Sequence, residues 1–181
     1  MGSDARRACA GGWRGGDLGR DWSKCDMTIA DSRFVAPPIG EWDLWPDWAC
    51  QVPAAAAMHL RCSEVGPGHA VLHLEDSVWP LNPNGATHGG LVAAAADHSG
   101  GVAAISVLGA AGLPATATLT GEFLRPAFGP LRFEARVVKA GRSLVFVRVD
   151  VTNRDGALCT TFTGTWSPMG SAPTRTSTES V

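Results

Sequence analysis

Residues 82–101 read NPNGATHGGLVAAAADHSGG, and two features of this stretch could do chemistry. His88-Gly89-Gly90 opens a run of small apolar residues with the composition of a long helix. The first turn of a helix has backbone N–H groups without intrahelical acceptors and the positive end of the dipole, and glycine lets a ligand carbonyl approach them closely. Such a tip can stabilise an oxygen on which negative charge develops. Asp97 lies in the middle of the same run, between alanines at 93–96 and the small apolar residues 100–104, with no polar stripe on which to face water. An ionised carboxylate in apolar surroundings is costly unless it is partnered, and a carboxylate kept there suits the work of a general base or a nucleophile.

The elements that must position these groups follow from the periodicity. Met58, Leu60 and Cys62 alternate with His59, Arg61 and Ser63, and past the turn Gly66-Pro67-Gly68, Ala70, Leu72 and Leu74 alternate with His69, Val71 and His73. Period two of this kind predicts two strands of a hairpin. The small-residue run predicts a helix over about 88–109, ended by Gly112-Leu113-Pro114. Four further alternating stretches, 115–125, 131–139, 143–153 and 157–167, predict strands, and the spacers 126–130, 140–141 and 154–156 read as hairpin turns. A helix apolar all round must be buried on nearly every side, so the antiparallel sheet has to curl around it. Ahead of this, Trp42, Trp45 and Trp48 fall every third residue and would line one side of a short helix, with Pro46 shortening or breaking it.

The chain of 181 residues is long enough for one domain with a core and too short for two ordinary ones. The reading assigns 1–35 to a disordered leader, 36–53 to a Trp/Pro-rich segment, 54–168 to the folded domain and 169–181 to a flexible tail. A formal net charge of -2 offers no basic surface for nucleic acid. Five scattered cysteines show neither a disulfide framework nor a metal-ligand spacing, so no metal is expected. The apolar run is broken by Asp97, His98 and Ser99, which speaks against a membrane span, and a soluble cytoplasmic protein is the default.

The string N-P-N-G-x-x-H-G-G at 82–90, the acid at Asp97, strands on both sides, Phe-Leu-Arg-Pro-Ala at 123–127 and Lys-Ala-Gly-Arg at 139–142 together resemble the PaaI type of hotdog-fold acyl-CoA thioesterases, over roughly residues 54–167. The resemblance implies an α+β hotdog fold, an antiparallel sheet of about six strands wrapped around one long central helix. It also implies a homodimer or dimer-of-dimers tetramer that hydrolyses an acyl-CoA or acyl-carrier-protein thioester without a cofactor, at a site on the seam between subunits. Helix geometry agrees with a shared site: Gly89 and Asp97 stand roughly 12 Å apart along one helix at about 1.5 Å per residue, too far to serve one carbonyl. Two antiparallel copies across a twofold axis could bring the tip of one to the middle of the other.

On this resemblance Gly89 and Gly90 form the oxyanion tip, and Asp97 activates water or attacks the thioester itself. Asn82 helps hold the thioester or a catalytic water, with turn formation beside Pro83 as its other reading. His88 orients that loop or caps the helix. Thr116, with Thr118 and Thr120 expected on its face, orients water near the acid. Arg125 and Arg142 are candidates for the CoA phosphates, which guanidinium groups bind in forked, charge-assisted pairs. His59, His69, His73 and His98 read as structural. The Trp cluster, with Trp79, either anchors its segment to the core or covers the acyl channel. A non-catalytic acyl-CoA-binding module, or a hydratase of the same architecture, would use the same scaffold.

Overall fold

A computed structural model describes residues 35–75, 80–108 and 114–168. The expected leader and tail, Trp79 and the Gly112-Leu113 helix stop lie outside them. A 3-10 turn at Trp42–Leu44 leads into α1 (Trp45–Gln51) and α2 (Pro53–Ala57), then β1 (Leu60–Gly66), β2 (His69–Leu74), α3 (Gly89–Leu108), β3 (Pro114–Phe123), β4 (Leu131–Ala140), β5 (Val145–Thr152) and β6 (Leu158–Pro168). Pro46 falls in the first turn of α1 and so starts that helix instead of breaking it. Its missing N–H has no acceptor to lose there.

The six strands form one sheet in the order β1-β2-β4-β5-β6-β3, every neighbouring pair antiparallel. The expected hairpins β1–β2, β4–β5 and β5–β6 are present. The segment 126–130 is not a hairpin turn, because β3 pairs with β6 at the far edge while β4 lies between β2 and β5. It is a crossover, and alternation alone says which face a residue occupies, not which strand lies alongside.

The inward faces of the strands, among them Leu72, Phe133, Val147, Val149, Phe162 and Trp166, close over α3, which touches all six strands. By length and composition α3 is apolar enough to cross a membrane. The interruption at 97–99 does not prevent that, and its place inside the sheet accounts for its composition. Close approach also explains its glycines: a Cβ on Gly100 would stand 2.4 Å from the Trp166 ring. Outside the sheet, Trp45 is fully buried and stacks at 5.5 Å between Trp42 and Trp48, so the Trp stripe does anchor its segment.

Candidate active site

The carboxylate at the middle of α3 has a partner. Thr116 Oγ1 donates to Asp97 Oδ1 at 2.8 Å, joining the half-buried acid to the exposed start of β3. Thr118 and Thr120 do not share that face. A β-bulge between Thr116 and Thr118 inserts one residue, which reverses the side-chain alternation beyond it. Thr118 instead meets Thr165 Oγ1 at 2.8 Å, while Leu119, past the bulge, packs on the core. The bulge therefore singles out Thr116.

The tip of α3 is built by its approach loop. Asn82 Oδ1 accepts the N–H groups of Asn84 at 2.9 Å and Ala86 at 3.2 Å, and the main chain closes the same turn through Asn82 N–H to Ala86 O at 2.8 Å. The carboxamide oxygen thus serves the turn, and the amide nitrogen is what Asn82 has left to offer a ligand. The crossover braces the loop through Thr87 N–H to Ala127 O at 2.8 Å. His88 caps the helix: its Nδ1 accepts Gly90 N–H at 3.1 Å, and its carbonyl takes the N–H groups of Leu91 and Val92. In the first turn this leaves Gly89 N–H without an acceptor among the described residues. Gly90 contributes through the cap; Gly89 is the donor that a ligand can reach.

Within one chain these two half-sites open into separate clefts. Asp97 and Thr116 border a half-open cavity of about 340 Å³, otherwise walled by Trp48, Val52, Pro53, His98, Gly101, Val102, Ile105, Pro114 and Trp166. Gly89 lies in another cleft of about 290 Å³, shared with Asn82, Asn84, Thr87, Phe123 and Arg125. Arg125 therefore stands beside the amide tip. Arg142 is exposed in the β4–β5 turn, beyond the register row that runs Thr116, Trp166, Val145, Ala140, and so belongs to the end of the sheet that carries Thr116.

Sequence reading gave no role to Phe123 or Trp166, and read His98 as structural. Phe123 lies against Gly89, where an added Cβ would meet its ring at 3.2 Å. Trp166 and His98 wall the Asp97 cavity. Strand alternation alone marks Trp166 as inward but not what it lines. His98 Nε2 donates to Ala49 O at 3.3 Å, tying α1 to α3, and burial holds its pKa below the ordinary imidazole value. The remaining histidines of the domain lie elsewhere: His59 sits in the turn before β1 with a φ of 49°, His69 faces Glu64 and Glu134, and His73 pairs with Ser63 at 2.9 Å. No cluster of three His, Cys, Asp or Glu side chains fit for a metal occurs among the described residues.

Comparison with known proteins points the same way as this geometry. The profile of the thioesterase superfamily matches residues 84–160, from the approach loop to the start of β6. A protein of Saccharolobus solfataricus, named as a candidate esterase, is 31% identical over 110 residues, which is 60% of this chain and 78% of the relative. Among solved structures, a mutant of the phenylacetic acid degradation protein PaaI from Thermus thermophilus is 27% identical with a TM-score of 0.58, covering 65% of this chain and 99% of that one. A protein of Streptococcus mutans, solved with acetyl CoA bound, is 25% identical with a TM-score of 0.55, covering 61% and 89%.

Proposed function

The chain belongs to the thioesterase superfamily and has the hotdog fold, and from that premise we propose that it hydrolyses acyl-CoA thioesters at a site completed by a second copy of itself. The observation that carries this reading is the division of the chemistry between two clefts of one chain, the carboxylate in one and the unclaimed amide in the other. Neither half suffices alone. An amide without a base would hold a carbonyl and not cleave it, which is also why a mere acyl-CoA binder is disfavoured.

Two surfaces support the pairing. β3 is an edge strand of ten residues bonded on one side only, and residues 115–121 carry no charge and no proline. Unpaired edges of that length are normally blunted by charge or proline, or else covered. On α3, Gly90 and Ala94 are exposed and continue through the half-buried Asp97 and Gly101 along one side of the helix. Two copies related by a twofold axis would join their β3 edges and bring these stripes together, antiparallel, so that Asp97 of one nears Gly89 of the other.

In this arrangement the thioester oxygen accepts Gly89 N–H at the positive end of α3, which stabilises the oxyanion as the carbonyl carbon becomes tetrahedral. Asp97, one oxygen held by Thr116, uses the other to take a proton from the attacking water. The tetrahedral intermediate then expels the CoA thiolate, which takes the proton back from Asp97, and leaves the free acid. Arg125 and Arg142 supply cations for the CoA phosphates. The substrate is acyl-CoA in preference to a carrier protein because a CoA-bearing relative shares the fold and the Arg125 guanidinium stands at the cleft of the amide tip. Thiol release from a panel of acyl-CoA esters tests the reading. Turnover by the wild-type chain that falls to background in Asp97→Ala is expected; no turnover, or full turnover in that variant, overturns it.

A further inference from the structure

We propose that the two short helices α1 and α2 ahead of the six-stranded sheet set the upper size of the acyl group, with Trp48 as the residue that closes its pocket; this rests on the reading of the site as an acyl-thioester site. Trp48 of α1, Pro53 of α2 and Val52 between them make one side of the cavity that Asp97 and Thr116 border. The other walls, Gly101, Val102 and Ile105 among them, are equally apolar. Such a lining suits a hydrocarbon acyl group and repels a charged one. A methylene fills about the volume of a liquid water, about 30 Å³, so the half-open cavity of about 340 Å³ has room for about eleven such groups, one of them the thioester carbonyl beside Asp97, which leaves about ten for the chain.

The wall is fixed in place. Trp48 is 9% exposed and packs edge-on against the fully buried Trp45 at 5.5 Å. His98 Nε2 donates to Ala49 O at 3.3 Å, and Cys62 N–H donates to Cys50 Sγ at 3.1 Å, so α1 is tied both to the helix that carries the acid and to β1. A wall held at three points does not give way to a longer chain, so the limit is set by Trp48 and its neighbours and not by the catalytic pair.

The test is a titration with non-hydrolysable acyl-CoA thioethers from acetyl to palmitoyl length. In the wild-type chain, affinity should rise by about fourfold per methylene while the chain enters the cavity. It should stop rising, or fall, beyond about ten carbons. Trp48→Ala should move that break to longer chains, and Val52→Trp, at a half-buried position on the same wall, should move it to shorter ones. Trp48→Phe keeps an aromatic ring in the core and gives an intermediate shift should the alanine variant fold poorly. An affinity that climbs without a break to palmitoyl length, or a break at the same length in Trp48→Phe and Val52→Trp as in the wild type, overturns the inference. Thiol release from the matching esters separates it from the functional reading. A length break in binding with no turnover overturns hydrolysis and leaves the pocket assignment standing. Turnover with no length break does the reverse.

Discussion

Gly100→Ala places one methyl group where α3 rides over the Trp166 indole. The added Cβ would stand 2.4 Å from Cη2 and 2.5 Å from Cζ2, against an ordinary carbon contact of about 3.5–4.0 Å, so helix or ring must shift by about 1 Å. Trp166 is buried to 1% exposure and has no room to retreat. Overpacking of this kind costs about 1–3 kcal/mol, while replacing a mid-helix glycine by alanine returns about 0.8–1.0 kcal/mol. A contact this short against a ring that cannot retreat belongs at the upper end of that cost, about 2–3 kcal/mol, so strain wins by about 1–2 kcal/mol, which lowers Tm by about 2–8 °C for a domain of this size. Asp97 lies one turn earlier on the same helix, and a shift of about 1 Å between reacting groups can cost up to about 100-fold in rate, so kcat should fall at least about tenfold. Gly101→Ala is the control, since its Cβ would meet nothing closer than Trp166 Nε1 at 3.7 Å. That variant should hold or gain stability. Thermal unfolding of both variants and thiol release by Gly100→Ala decide the matter: a Gly100→Ala protein as stable and as active as the wild type would refute the close-packing argument.

Other outcomes follow from the same geometry. Asp97→Asn should lower kcat by about 10²–10⁴-fold at little cost to Tm, and Thr116→Val by about tenfold, with Thr116→Ser close to the wild type; equal rates for the valine and serine variants would remove Thr116 from the site. Single turnover in water labelled with heavy oxygen should mark the released acid and leave Asp97 unlabelled, as mass spectrometry of the protein would report. Because burial depresses the His98 pKa, the unfolded chain binds that proton more readily, so its share of stability is complete above about pH 6.5 and declines as pH falls below it. His98→Gln should make denaturant stability less sensitive to pH in that window; His73, depressed by burial and then by Arg132, keeps part of the slope. Arg125→Ala should raise KM for acyl-CoA several-fold, the loss shrinking with added salt, and leave kcat within about twofold.

Much of this architecture was legible because burial imposes period two on strands and small residues on a helix sunk in a curled sheet. The helix expected over 88–109 is Gly89–Leu108, and the strand expected over 131–139 is Leu131–Ala140. Pairing was less legible: nothing in residues 126–130 distinguishes a turn from a crossover, since that depends on contacts made by β6 some 30 residues later. The expected Thr118 and Thr120 face failed for a local reason, a single bulged residue that no alternation pattern announces. Asn82 and His88 show the other limit. Their types allow both a local hydrogen bond and a role toward a ligand, and the loop geometry uses both side chains locally, concentrating the proposed amide function on Gly89.

The shared site is tested most directly by mixing two inactive proteins. Asp97→Asn and Gly89→Pro preparations, the proline removing the amide donor at the first helical position where its ring is tolerated, unfolded and refolded together, would form hybrid dimers in which one site carries both defects and the other carries none. Half of the dimers are then hybrids with one intact site each, so the mixture should recover about a quarter of the wild-type thiol release. A mixture no more active than the two parents would place acid and amide in the same subunit and contradict the account.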